Sequence, residues 1–138
     1  MVVTDRIALK TQGNGEGTDL TLQISTLVEE SGLHAGIITV FVPGSTGGLT
    51  TIEFEPGAVT DFKETMDRIA PPGRPYRHHL RWGDDNGHSH VRSALVGPSL
   101  TVPFVDGRLT LGTWQQIVFL DFDTQPRSRR LVVQVMGE

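Results

Sequence analysis

Gly36-Ile37-Ile38-Thr39-Val40-Phe41-Val42, closed by Pro43-Gly44, is the stretch that decides the fold. β-branched and aromatic residues follow one another almost without a polar break, which predicts a strand buried on both faces. Upstream, Leu20, Ile24, Leu27 and Val28 recur on one helical face, with Thr18 or Asp19 placed to cap the helix and Gly32 to end it. Residues 2–10 mix Val, Ile and Leu with charges and run into Gly13-Asn14-Gly15, a strand followed by a turn.

Downstream, Ser45-Thr46-Gly47-Gly48 leads into a strand-like piece over residues 49–55, in which Glu53 lies opposite the face of Ile52 and Phe54. After Pro56-Gly57 the spacing of Val59, Phe62, Met66 and Ile69 predicts a second amphipathic helix, stopped by Pro71-Pro72-Gly73. Residues 74–90 show no clean period and hold four of the five histidines, so they read as a long functional loop. Residues 99–105 and 108–113 flank Asp106-Gly107, a dipeptide suited to a two-residue hairpin, and strands over 116–122 and 129–135 extend this into an antiparallel meander. The expected fold is a single α+β domain spanning residues 1–138, a largely antiparallel, sandwich-like sheet with two main helices.

With 138 residues, 37% hydrophobic and 20% charged, the chain is long enough for one core. Sixteen acidic against twelve basic residues give a net charge of -4, which argues against nucleic-acid binding through a broad basic surface. No apolar run suits a membrane span, and Met1-Val2-Val3-Thr4-Asp5 lacks the features of a signal peptide, so a cytoplasmic protein is expected. The absence of cysteine excludes disulfides, thiolate metal sites and a Cys nucleophile.

Chemistry concentrates between Tyr76 and Arg92, where imidazoles and carboxylates crowd together. Zinc and similar divalent ions take neutral imidazole and carboxylate ligands at about 2 Å. His88 and His90, two apart on a strand, would face the same side, with His78 as a third ligand and Asp85 and Glu53 in reserve. The competing reading is a solvated loop whose histidines bond backbone groups. Ser45 and Thr46, with the two glycines behind them, suit an approach to an oxyanion or phosphate, or simply form a turn. Arg92, Arg127, Arg129 and Arg130 would supply phosphate donors if they converge. Trp114 is expected to fill the core or an interface.

Taken together, Asp19-Leu20-Thr21, Ser31-Gly32-Leu33, Phe41-Val42-Pro43-Gly44-Ser45-Thr46, Thr51-Ile52-Glu53, His78, Asp85-Asn86, His88-Ser89-His90, Gly112-Thr113-Trp114-Gln115 and residues 127–130 resemble the YjbQ-like family of small proteins with a secondary thiamine-phosphate synthase activity. The resemblance implies an α+β homotrimer with its site near subunit boundaries, at the histidine segment and the Ser/Thr turn. It implies a reaction that joins an aminopyrimidine diphosphate to a thiazole phosphate and releases pyrophosphate. His78, Asp85 and His90 match the family's recurring polar positions, Glu53 its strand glutamate, and Ser45 and Thr46 its hydroxyl pair. Glu53, His78, Asp85 and His90 are the expected catalytic residues, and Ser45, Thr46, Asn86, Arg92 and Arg127 the expected substrate-binding ones. A divalent metal, zinc or magnesium, is expected at His78, His88 and His90, although many relatives lack His88. Gly44 stands where many members carry His, and Gly47-Gly48 where alanine or serine is usual, changes that would alter substrate choice or remove an acid/base group. Two further classes remain open: a non-catalytic trimer that binds a phosphorylated metabolite or metal, and a metal-assisted hydrolase.

Overall fold

Every strand pairs antiparallel, and the strands divide into two sheets. The computed structural model describes residues 1–138 in full. In chain order the elements are β1 (Val2–Thr11), β2 (Glu16–Asp19), α1 (Thr21–Ser31), β3 (Ala35–Phe41), β4 (Gly47–Ile52), α2 (Pro56–Ile69), α3 (Arg77–Trp82), α4 (Gly87–Val96), β5 (Ser99–Val105), β6 (Arg108–Leu109), β7 (Gln116–Asp121) and β8 (Arg127–Gly137). One sheet has the order β1-β8-β3-β5-β6 and the other β2-β7-β4.

The main core lies where the sheets face each other. Ile38, Val40, Val102, Phe104, Leu131, Val133 and Val135 point inward from the larger sheet, Leu49, Ile117 and Phe119 from the smaller, and α1 adds Leu20, Ile24 and Val28. The other face of the smaller sheet packs Val118 and Leu120 against Met66 of α2, with Phe122, Phe62 and Val96 around them. β7 is therefore the strand buried on both faces, its apolar residues dividing alternately between two cores. β3 is central in its sheet but buried on one face only, because no element covers Ile37 and Phe41, which are 38% and 43% exposed.

Local chemistry explains the element ends. The Asp19 carboxylate accepts from the Thr21 N–H and hydroxyl at the start of α1, and Gly32 closes it at φ 70°. Glu55, read as a strand residue, instead caps α2, accepting from the Gly57 and Ala58 N–H groups. Asp106 and Gly107 both take positive φ, 53° and 70°, as the two-residue hairpin requires.

Other expectations are corrected. The C-terminal strands do not form a meander: β5 and β8 flank β3, while β7 joins the smaller sheet between β2 and β4. Residues 74–90 are not one loop, since α3 and the start of α4 lie within them, raising the helix count to four. Helix α4 escapes hydrophobic periodicity because its buried face is polar, made of His88, Ser89, Arg92 and Ser93. Ile69 stays exposed, and Trp114, 74% exposed, lies outside the core, which leaves the interface of the two expected places for it. No helix is long and apolar enough to cross a membrane.

Phe119, fully buried in the main core, tests this packing. Phe119→Ala should lower unfolding stability by about 3–5 kcal/mol in urea titrations, the usual cost of an aromatic cavity. A loss under about 1 kcal/mol would contradict the two-sheet core.

Candidate functional site

Two imidazoles lie side by side where α3, α4 and the turn before β4 meet. The rings of His78 and His90 are 4.4 Å apart, centroid to centroid. His90 Nδ1 donates to the Ser45 carbonyl oxygen at 3.1 Å. A carbonyl only accepts, so Nδ1 carries the proton and Nε2 keeps its lone pair. His78 Nδ1 meets Asp84 Oδ1 at 3.0 Å. The Asp84 carboxyl is held below the usual 3.8, chiefly because the Asn86 N–H donates to it, and as an acceptor it fixes the same tautomer on His78. Both rings therefore present an unprotonated Nε2 when neutral, the form suited to proton acceptance or metal ligation.

The pair lines a cleft of about 450 Å³ with Arg74, Tyr76, Arg77 and Val91. Its charged side chains are all basic, although the whole chain carries a net charge of -4. Such a lining attracts an anion, and guanidinium groups match phosphate oxygens in a bidentate fork. Tyr76 holds the wall in place: its hydroxyl donates to the Pro71 carbonyl at 2.7 Å and Arg74 lies over its ring.

Behind the cleft lies a buried polar network that sequence reading did not find. Arg129 grips Asp121 with Nε at 2.8 Å and Nη2 at 2.9 Å, and Nη2 also donates to Thr46 Oγ1 at 2.8 Å. Its pKa is raised, first by the hydrogen bond to Asp121. Thr11 of β1 donates its hydroxyl to Asp121 as well. Asp123 accepts from Thr46 Oγ1, Asn86 Nδ2, Arg127 Nε and the Gln125 N–H. Strand periodicity gave no warning, because Asp121 falls inside the strand expected over residues 116–122 and Asp123 at the start of the turn that follows it.

The predicted site residues thus separate. His78, His90 and Ser45 come together, and Thr46 and Asn86 stand just behind them in the network. His88 does not share a strand face with His90: on a helix two residues turn by about 200°, so the rings leave opposite sides of α4. His88 is 6% exposed near Tyr76, its Nδ1 has no partner, and burial pushes its pKa below the usual 6.5. Arg92 is buried and bonded to the Ala70 carbonyl and Asp67, tying α4 to α2. Arg127 spends Nε on Asp123, Asp85 accepts from the Thr124 hydroxyl, and Glu53 is exposed beyond the end of β4. Gly47 and Gly48 are buried in packing rather than open to an anion: a Cβ at either would clash, with Phe119 and Val96 respectively. No three His, Asp or Glu side chains gather into a set able to hold a metal ion, so one chain supplies two imidazoles of the expected donor set and not a third.

An α+β domain of two antiparallel sheets with a histidine-lined basic cleft defines the class. The chain belongs to the UPF0047 protein YjbQ-like family, which it matches over residues 5–138. It is 38% identical over 130 residues to a UPF0047 protein of Archaeoglobus fulgidus, covering 94% of this chain and 98% of the relative. It is 35% identical over 132 residues to YugU of Bacillus subtilis, covering 95% and 97%. The crystal structure of a YbjQ-like protein of unknown function from Sulfolobus solfataricus superposes with a TM-score of 0.94 at 33% identity, over 100% of this chain and 99% of that one. A hypothetical protein from Aeropyrum pernix gives 0.91 at 33% identity, covering 99% of each chain.

The network makes an acid-stability prediction. Burial, the largest influence on Asp123, raises its pKa, but hydrogen bonds from Gln125, Arg127, Thr46 and Asn86 together outweigh it and the net shift is below 3.8. A folded pKa under the unfolded one means the ionised carboxylate stabilises the fold above about pH 4 and that this contribution is lost as pH falls through the folded value. Asp123→Asn should therefore be less stable than wild type at neutral pH and lose less on acidification. Parallel pH dependences in urea melts of the two proteins would contradict this.

Proposed function

We propose that the cleft binds the diphosphate of a small metabolite and that the protein is a transferase of the thiamine-phosphate synthase type. The observation that carries this reading is the pair of like-oriented imidazoles in a cleft whose other charged groups are Arg74 and Arg77. In the reaction the bond from the aminopyrimidine methylene carbon to the diphosphate oxygen breaks. A bond from that carbon to the thiazole nitrogen forms, and pyrophosphate leaves with the electron pair. Arg74 and Arg77 hold the developing charge, and a protonated Nε2 of His78 or His90 hydrogen-bonds the departing oxygen. In this reading the guanidinium and imidazole groups of the chain take the charge of the leaving diphosphate.

His90→Ala and His78→Ala should each lower kcat by about 100-fold to 10,000-fold in assays with the two phosphorylated substrates, the range for a lost acid–base group. Arg77→Ala should both raise KM and lower kcat, because the same guanidinium binds the diphosphate and takes the charge that develops as it leaves. Full activity in both histidine variants would overturn the assignment; absence of any turnover in the wild type, with retained binding of pyrophosphate, would leave a metabolite-binding protein.

The free Nε2 atoms favour a second reading, in which the site is completed from outside the chain. Two imidazoles suit zinc better than magnesium, and the homotrimer implied by the family resemblance would bring further ligands from a neighbouring copy. The uncovered face carrying Ile37, Phe41, Val105 and Met136 supports self-association. Native mass spectrometry with elemental analysis should then find a trimer with about one zinc per chain; a metal-free monomer would remove both the trimer and the metal-assisted hydrolase.

A further inference from the structure

The two hydrogen bonds that orient the imidazoles share an anchor. One Asp123 oxygen accepts from Thr46 Oγ1 at 3.0 Å and Arg127 Nε at 3.0 Å, the other from Asn86 Nδ2 at 3.3 Å and the Gln125 N–H at 2.9 Å. On the Thr46 side this fixes the Ser45–Thr46 peptide, whose carbonyl orients His90. On the Asn86 side it fixes the residue that precedes α4, the helix carrying His90. The Asn86 N–H also donates to the Asp84 oxygen that faces His78, so the same anchor reaches both rings.

We propose that Asp123 is a positioning residue for the His78–His90 pair, acting through Thr46 on one side and Asn86 on the other. The proposal rests on the reading of that pair as the reactive groups, but its geometry can be tested without substrate. Asp123 is suited to this because an ionised carboxylate offers only acceptors, and four donors converge on it. Asparagine keeps the shape and turns an NH2 group towards donors on one side.

The test is long-range 1H–15N NMR of the imidazole nitrogens at a pH where the rings are neutral. Wild type should show His78 and His90 as Nδ1–H tautomers, with His34, whose Nε2 meets Asp106 Oδ1 at 2.9 Å, as the internal Nε2–H reference. In Asp123→Asn and Thr46→Val, His90 should shift towards the Nε2–H tautomer, and Thr46→Ser, which keeps the hydroxyl, should restore the wild-type signals. Thr46→Val decides the matter if Asp123→Asn does not fold. Unchanged tautomers in a folded Thr46→Val protein, or no rescue by Thr46→Ser, would reduce Asp123 to a stabilising contact and overturn the proposal. Nδ1–H tautomers that depend on Thr46 in a protein without transferase activity would uphold the positioning and remove only the catalytic reading.

Discussion

The buried pairing of Arg129 with Asp121 is the contact on which the rest of the architecture depends. Arg129 belongs to the five-stranded sheet through β8, and Asp121 ends β7 of the three-stranded sheet, so one bidentate ion pair joins the two layers. Removing one partner would leave a buried charge alone, at a typical cost of about 3–5 kcal/mol. Two apolar residues of equal volume would hold the layers as firmly. What they would not supply is direction: the planar guanidinium fits the carboxylate in one orientation and turns a further Nη2 donor to Thr46, which helps to set the position of the turn before β4.

From that pair the order runs outward to the cleft. Thr46 and Asn86 both bond to Asp123, and each adjoins a group that orients a ring, the Ser45 carbonyl for His90 and Asp84 for His78. Further bonds brace the same corner. Ser93 of α4 donates to the Gly47 carbonyl at 2.6 Å, and the close approach of Val96 to Gly48 leaves no room for a Cβ there. Gly48, part of a run that resembles a phosphate-binding turn in the sequence, thus lets α4 pack directly on β4. The helix that carries His90 is seated there.

What was legible in the sequence was local. Gly32, the Asp106-Gly107 hairpin and the apolar spacing of Ile24 and Val28 act through neighbours in the chain, and they appear where their residues predict. β2 went unseen because Glu16-Gly17-Thr18-Asp19 has no apolar face to read. The candidate site was half legible: crowding of imidazoles pointed to His78 and His90, but placing His88 beside them required knowing that the segment is helical. Asn86 before the run and Gly97 after it are start and stop residues that could have shown this. Asp121 and Asp123 were beyond such reading, since their partners Thr11, Thr46 and Asn86 come from distant parts of the chain.

We propose the His78–His90 cleft as the place where this protein meets a phosphorylated ligand. Titration of the full chain with inorganic pyrophosphate, followed through the imidazole NMR signals, tests it directly, because five histidines give few enough signals to assign. His78 and His90 should shift together and saturate, while His34, paired with Asp106 at the far hairpin, stays still. Saturable shifts confined to other histidines, or none at all, would contradict it.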